Sequence, residues 1–232
     1  MNPFEDYITK NADEMSEQDW RDLCRYEDIF HFSDYFFERF NAQIKWKSLK
    51  NNDSITTSFA HKYKKHFDCI LYYKDGDLHR EDGPAIVNLN KTKESWYKYG
   101  KLHREGGPAV VSKEDCIEAW YCNGRKHRED GPAVIIKDRK EWWIQGSRHR
   151  KNGPAIFAYS IEEWWVEGKR HRDNGQPAVI NNNTIEWYKN GELHNTQGPA
   201  YVEESGHKEY WINGEEFTCE KFYKKIKEVD YD

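Results

Sequence analysis

Residues 120–133 read Trp-Tyr-Cys-Asn-Gly-Arg-Lys-His-Arg-Glu-Asp-Gly-Pro-Ala, a stretch that occurs six times and begins a seventh. The first glycine of each copy lies 22 to 24 residues from the next, at Gly76, Gly100, Gly124, Gly146, Gly168, Gly191 and Gly214. An interval of this size is typical of proteins built from stacked structural repeats. The stretch therefore predicts that a repeat array forms most of the fold.

Each copy continues into two apolar runs separated by a polar one. After Pro132 the chain reads Ala-Val-Ile-Ile, then Lys-Asp-Arg-Lys, then Glu-Trp-Trp-Ile. Two such runs around a short polar segment predict a β-hairpin. Equivalent hairpins are predicted within residues 85–97, 109–121, 155–165, 178–188 and 200–212.

Between the hairpins lies the segment Gly-x-x-His-Arg-x-x-Gly-Pro-Ala, which is rich in turn-forming residues. Glycine adopts positive φ without steric cost, and proline fixes φ and lacks a backbone donor. We expect these segments to be corners with no strand of their own, and Gly131 to adopt positive φ.

The regions outside the array are predicted to be helical. Residues 1–68 contain no copy of the repeat, and Ser16 and Ser33 stand where helix N-caps are expected. A further helix is predicted over residues 53–67. This region is either an end cap for the array or a domain that docks another protein, and both interpretations stay open.

The repeat pattern fails after Gly214. Thr218 is expected to cap a last helix that places Phe222, Ile226 and Val229 on one face. The predicted organisation is thus a helical cap or docking domain over residues 1–68, a hairpin array over 69–216, and a capping helix over 217–232.

The block aromatic-aromatic-x-x-Gly-x-x-His resembles the MORN repeat over about two-thirds of the chain. That resemblance implies a mainly β fold: an elongated, twisted antiparallel sheet of six to seven stacked hairpins, with the small helical regions at its ends. Arg follows His where MORN copies usually have Gly, and the variant W-x-x-x-G-x-x-H-R-x-x-G-P-A resembles repeats of giant viruses and some bacteriophages. The resemblance implies scaffolding, homodimerisation or membrane-lipid binding.

Two series of side chains recur once per copy and are candidates for partner binding. Both have a structural alternative, in which they only hold the corners and the sheet together. The His-Arg series comprises His79, His103, His127, His149 and His171, with Arg80, Arg104, Arg128, Arg150 and Arg172. The series formed by the second aromatic of each pair comprises Tyr97, Tyr121, Trp143, Trp165 and Tyr188. In the structural alternative the His ring bonds a turn carbonyl, and Arg80 pairs with Glu81 or Asp82.

Catalysis, cofactors and metals find no support in the sequence. It contains no nucleophile elbow, P-loop, dinucleotide fingerprint or H-E-x-x-H helix. Successive His residues are expected about 10 Å apart, which is too far to share a zinc ion. We therefore expect a protein that is not an enzyme and that uses no cofactor and no metal.

Charge and apolar patterning bear on partners and location. The net charge of −5 argues against a general nucleic-acid binder. The chain has no signal-peptide pattern and no run of 18 apolar residues. We expect a cytoplasmic or virion scaffold for a viral or host protein, with a homodimer possible. The alternative is a binder of nucleic acid or anionic lipid that uses the His-Arg series on phosphates.

Overall fold

The computed structural model describes residues 3–25, 29, 32–46, 59, 62–63, 69–88 and 90–229. They belong to two compact units, one formed by residues 1–104 with 109–112 and the other by 105–108 with 113–232. The predicted mainly β fold of stacked antiparallel hairpins, with a helical N-terminal region and a C-terminal helix, is confirmed.

The first unit contains the described helices of the N-terminal region. These are α1 (Pro3–Asn11), a short 3-10 turn (Ala12–Glu14), α2 (Glu17–Leu23) and α3 (Asp34–Arg39). Ser16 and Ser33 cap α2 and α3 as predicted, each accepting a backbone N–H of the first turn. The pattern did not predict α1. Most of the helix predicted over 53–67 lies outside the described residues.

An aromatic core joins these helices to the first strand of the array. Phe36 and Phe37 are fully buried, and the same cluster contains Ile70, with Tyr72 packed against it. Glu5 is also buried, and its carboxylate accepts the N–H and the hydroxyl of Ser33. These contacts show that helical residues cover the start of the sheet in this unit.

Fourteen strands form the sheet of stacked hairpins. Those of the first unit run in the spatial order Cys69–Leu71, Ile86–Asn88, Lys93–Ser95 and Val110–Ser112. Those of the second unit run in the order Ile117–Ala119, Val134–Ile136, Arg139–Glu141, Ile156–Ala158, Ile161–Glu163, Val179–Ile180, Thr184–Glu186, Tyr201–Glu203, Lys208–Ile212 and Glu215–Phe217.

The corner segments contain a second set of hairpins, so the expectation that they lack strands is wrong. In each, the second aromatic starts a two-residue strand that pairs with the residues just before His. The pairs are Tyr73–Lys74 with Asp77–Leu78, Tyr97–Lys98 with Lys101–Leu102, Tyr121–Cys122 with Arg125–Lys126, Trp143–Ile144 with Ser147–Arg148, Trp165–Val166 with Lys169–Arg170, and Tyr188–Lys189 with Glu192–Leu193.

Turn geometry explains these small hairpins. Gln145 and Gly146 both have positive φ (49° and 85°), as both central residues of a type I′ turn require. That turn matches the twist of the flanking strands and closes a hairpin with two loop residues. The large hairpins are consequently shorter than predicted, because Val134–Ile136 pairs with Arg139–Glu141 and leaves Trp142 and Trp143 beyond the pair.

The last helix, α4 (Cys219–Val229), follows the final strand. The Lys221 N–H donates to Oγ1 of Thr218 at 3.4 Å, which confirms the predicted cap. Phe222 is fully buried and Ile226 partly so, whereas the side chain of Val229 lies outside the described residues.

Candidate functional site

Each Arg of the His-Arg series lies over the first aromatic ring of its own copy. The distance from Cζ to the ring centroid is 4.0 Å for Arg128 over Trp120 and 3.7 Å for Arg150 over Trp142. The remaining pairs, at 3.6 to 4.1 Å, are Arg80 over Tyr72, Arg104 over Trp96 and Arg172 over Trp164. A guanidinium at such distances is attracted by the negative face of the ring.

The same guanidinium groups are hydrogen-bonded within their own corners. Nη1 of Arg128 donates to the Pro132 carbonyl at 3.3 Å, and its Nε donates to Asp130 at 2.8 Å. Arg80 forms the same two bonds, with Pro84 and Asp82, which confirms Asp82 as its carboxylate partner. Arg150 and Arg172 keep the proline bond, both at 3.0 Å.

The glycine of the Gly-Pro-Ala corner lies on the other side of the guanidinium. A Cβ atom on Gly131 would lie 3.1 Å from Cζ of Arg128. Gly131 does not have positive φ, so that prediction is wrong. Glycine is needed there because the stacked arginine occupies the space of a side chain.

The histidines connect successive copies. Nδ1 of His149 accepts the backbone N–H of Glu167 at 3.2 Å, and Glu167 is the first residue of the next small turn, with φ of 49°. Equivalent bonds, at 3.0 to 3.3 Å, join His79 to Tyr99, His127 to Gln145, His171 to Asn190 and His194 to Asn213. The expectation that the ring bonds a turn carbonyl is therefore wrong: the ring accepts a turn N–H.

In the copy that follows the one containing Arg172, Asn195 occupies the arginine position. Its amide donates to the Pro199 carbonyl at 2.8 Å, and its side-chain oxygen accepts the Gln197 N–H at 2.9 Å. Only 7% of Asn195 is exposed. A shorter side chain thus forms the corner bond without the ring contact, so the corner geometry does not depend on a cation.

The second aromatics have a different environment, which the sequence did not predict. Trp143 and Trp165 donate their indole N–H groups to Glu141 and Glu163, both at 2.9 Å. Tyr188 and Trp211 bind Glu186 and Glu209 in the same way. Each carboxylate stands two residues before its ring, on the same side of the strand.

Cations lie between these rings in the second unit. Cζ of Arg148 is 4.8 Å from the Trp143 ring centroid and 5.1 Å from that of Trp165. Arg170 lies between Trp165 and Tyr188 at 5.4 and 5.2 Å, and Lys126 lies 4.6 Å from Trp143. In other copies, Leu78, Leu102 and Leu193 occupy the positions equivalent to those of Lys126, Arg148 and Arg170. Cross-strand pairing, rather than proximity in sequence, creates this series of contacts.

The pKa shifts agree with a largely internal role for both series. Hydrogen bonds from Arg80 and Arg128 hold the pKa values of Asp82 and Asp130 below their usual range. Burial lowers the pKa values of Arg150 and Arg172. Burial alone would raise the pKa of Glu141, but the bonds from Arg139 and Trp143 outweigh it and lower that pKa.

Sequence reasoning missed a row of apolar side chains on one face of the second unit's sheet. Strand register aligns Ile135, Lys140, Phe157, Glu162, Ile180, Ile185, Val202 and Lys208 in one line across the sheet. Residues directly opposite each other on paired strands share a face. The apolar members of this line are here called the apolar row: Ile135, Phe157, Ile180, Ile185 and Val202.

The two faces of this sheet differ in exposure. Val134, Ile156 and Val179 point away from the apolar row and are at most 5% exposed. By contrast, Phe157 is 43% and Ile185 38% exposed. Along this line one face is therefore covered by the chain itself, although Ile136 at the strand end is 38% exposed, and the other face leaves Phe157 and Ile185 open to solvent.

The first aromatics flank this open face. The Trp142 N–H continues the strand ladder, donating to the Ala155 carbonyl at 2.8 Å, which places its ring on the side of Lys140 and Phe157. In the first unit, a hollow of about 250 Å³ is lined by the equivalent set, including Val87, Tyr72 and Arg80. The apolar row and the stacked arginines are thus neighbours on one face.

A cleft of about 570 Å³ lies between two corners of the second unit. Trp142, His149, Arg150 and Lys151 contribute to its lining, together with Glu167. Within the described residues, nowhere do three His, Cys, Asp or Glu side chains gather as a metal site would require. Of the helices that are described, none has the length and apolar character to cross a bilayer.

The predicted site residues therefore form two groups rather than one surface. The His-Arg series, together with the first aromatics, holds the corners; the second aromatics contact carboxylates and, from Trp143 to Tyr188, cations. Tyr97 and Tyr121 are half-buried and pair with Leu102 and Lys126. Comparison with protein-family models finds no match, and comparison with curated proteins finds none.

Proposed function

We propose that this chain is a non-enzymatic repeat scaffold that binds a partner protein. The observation that carries the proposal is the apolar row, in which Phe157 and Ile185 are open to solvent and Ile180, Ile185 and Val202 are direct neighbours on three strands. Apolar patches on the surfaces of soluble proteins commonly mark interaction sites. Regular spacing suits a partner that extends across several copies.

The internal bonding of the copies supports a rigid scaffold. The Arg150 N–H donates to the Trp165 carbonyl, the Gly168 N–H donates to the Arg148 carbonyl, and the Glu167 N–H donates to the His149 ring. These three bonds fix the position of the hairpin over 165–170 relative to the hairpin over 143–148. A surface that is already ordered loses little conformational entropy when it binds.

The resemblance to repeats of giant viruses and bacteriophages supports a viral source. A scaffold of that kind would assemble virion or host proteins, in the virion or in the host cytoplasm.

Affinity capture from infected and uninfected host cells tests the function. The native chain and a Phe157→Asp, Ile180→Asp double variant are compared, and retained proteins are identified and then reconstituted in purified form. We expect at least one protein that binds the native chain directly and is lost with the variant. Identical sets of retained proteins would reject the apolar row as the binding surface.

The alternative is a binder of phosphate groups on nucleic acid or anionic lipid. The cleft that contains His149, Arg150 and Lys151 favours it, because it brings cations and an aromatic ring together. Against it, Arg80 and Arg128 are paired with their own carboxylates. A fall in affinity of about a thousandfold between about 50 and 200 mM salt would support binding to phosphate groups over binding of a protein through the apolar row.

A further inference from the structure

The same face that carries the apolar row already accepts a helix elsewhere in the second unit. Lys208 pairs with Val202 in the line of the row, and Tyr210, two residues further, lies on the same side of the strand. Phe222 of α4 packs on Tyr210 with ring centroids 5.0 Å apart, and Phe222 is fully buried. The chain's own helix therefore occupies the end of this face.

The first unit repeats this arrangement independently. Ile70 pairs with Val87, which is equivalent to Ile135 in the copy pattern. Ile70 is 2% exposed and belongs to the aromatic cluster formed with helical residues such as Trp20 and Phe36. In each unit, therefore, a helical segment packs on this face, against Ile70 in the first unit and Tyr210 in the second.

The spacing of the row fits a helix laid across the strands. Equivalent residues of successive copies are two strands apart, or about 9.6 Å. Seven residues of an α-helix span about 10.5 Å. Apolar residues at i, i+7 and i+14 of one helix would thus meet Phe157, Ile180 and Val202, and a residue at i+10 or i+11 would meet Ile185.

Charges beside the row indicate the chemistry of the helix flank. Arg150 stacks on Trp142 and forms no ion pair within the described part of the chain, whereas Arg172, which stacks on Trp164, is attracted by the carboxylate of Glu162. By contrast, Arg128 is paired with Asp130. A cation without a carboxylate partner, on the same side of the sheet as the apolar row, favours an acidic residue on the flank of the segment that binds there.

We propose that the open face of the second unit's sheet binds an amphipathic helix of a partner protein. The helix lies across the strands, with its apolar stripe at heptad spacing on the apolar row and an Asp- or Glu-bearing flank towards Arg150. This inference rests on the scaffold function proposed above and names its ligand.

The test is a selection from a display library of helical peptides about 21 residues long, with randomised surface positions, against the full chain. We expect enriched peptides to carry apolar residues at i, i+7 and i+14 and carboxylates along one flank. Fluorescence anisotropy with a selected peptide should show about tenfold weaker binding to a Phe157→Ser variant, because much of an aromatic side chain is removed from the contact. Ile185→Ser provides a second row variant should Phe157→Ser fail to fold.

Tyr159→Ser is the matched control, because Tyr159 is 99% exposed and belongs to the turn of the same hairpin. It should leave peptide affinity unchanged, whereas changing the flank carboxylates of the peptide to lysine should weaken binding severalfold. Enrichment without heptad spacing, no enrichment at all, or equal affinity for the native chain and both row variants would overturn the inference.

Three further outcomes separate this inference from the scaffold function. If the native chain sediments as a dimer that Phe157→Ser dissociates, the face binds a second copy, so the helix is rejected and the scaffold is kept. If cell capture yields a direct partner but no helix is selected, only the inference fails. If helices are selected but no protein is captured through the row, the scaffold function fails instead.

Discussion

The stacked corner predicts that Arg128 and Gly131 are energetically coupled. Arg128→Ala removes the contact with Trp120 at 4.0 Å and the bond to the Pro132 carbonyl at 3.3 Å. The first is worth about 0.5–2 kcal/mol and the second about 1 kcal/mol. We expect the variant to lose about 2 kcal/mol of the free energy of unfolding.

Gly131→Ala should also destabilise the corner, by about 1 kcal/mol and for a different reason. The new Cβ would lie 3.1 Å from Cζ and 3.2 Å from Nε of Arg128, which is closer than ordinary van der Waals contact, so the guanidinium must shift by a few tenths of an ångström against the indole face. In a chain that already carries Arg128→Ala nothing is displaced, and because Gly131 does not have positive φ, alanine should be neutral or stabilising by up to about 1 kcal/mol. The coupling energy is therefore about 1 kcal/mol.

Chemical denaturation of the native chain, both single variants and the double variant measures this coupling. Arg125→Ala is the control, because Arg125 is an exposed arginine in the same copy, and it should change stability by less than about 0.5 kcal/mol. Equal destabilisation by Gly131→Ala in the presence and absence of Arg128 would refute the stacked-corner explanation.

Three further predictions concern other parts of the fold. Burial lowers the pKa of His194 below 6.5, so the unfolded chain binds the proton more readily than the folded chain does. The stability that neutral His194 contributes is therefore present above about pH 6.5 and declines below it. His194→Gln should flatten that decline when melting temperature is measured against pH. Gly146→Ala should cost about 1–2 kcal/mol in thermal unfolding, because Gly146 has φ of 85°. Gly198→Ala should cost little, because Gly198 does not have positive φ and no atom lies within 4 Å of its added Cβ. Equal costs would contradict the turn assignment. Glu5→Ala leaves the Ser33 donors without an acceptor and should cost about 1–3 kcal/mol in denaturant unfolding. Asp6→Ala, which removes only a surface ion pair with Lys10, is the control, and a comparable loss with it would show that the buried bonds are not responsible.

The large-scale features of the fold could be predicted because they depend on local sequence. The glycine interval indicated the repeat, β-branched runs such as Val134-Ile135 indicated strands, and Ser16 and Ser33 indicated helix starts. Turn residues, caps and strand formers act on neighbours a few positions away. The order of these signals along the chain therefore limits the possible folds strongly.

The assignment of the two aromatics could not be predicted in the same way. Glu141 to Ile144 reads as one strand, yet Glu141 ends one hairpin and Trp143 begins another. The second hairpin exists because Gln145 and Gly146 both adopt positive φ. Glycine made this possible at one position, but no sequence pattern indicates that Gln145 adopts that conformation.

The sequence by itself determined that the chain contains stacked hairpins with helical regions outside the array. The tertiary structure decided what each repeated side chain does. His149 accepts an N–H from a residue 18 positions away, and Arg148 lies between two rings of successive copies. It also decided that Phe157 is open while its neighbour Ile156 is buried, although both are apolar. The reason is that strand register and the stacking of hairpins, which join residues far apart in sequence, fix the side to which each residue points.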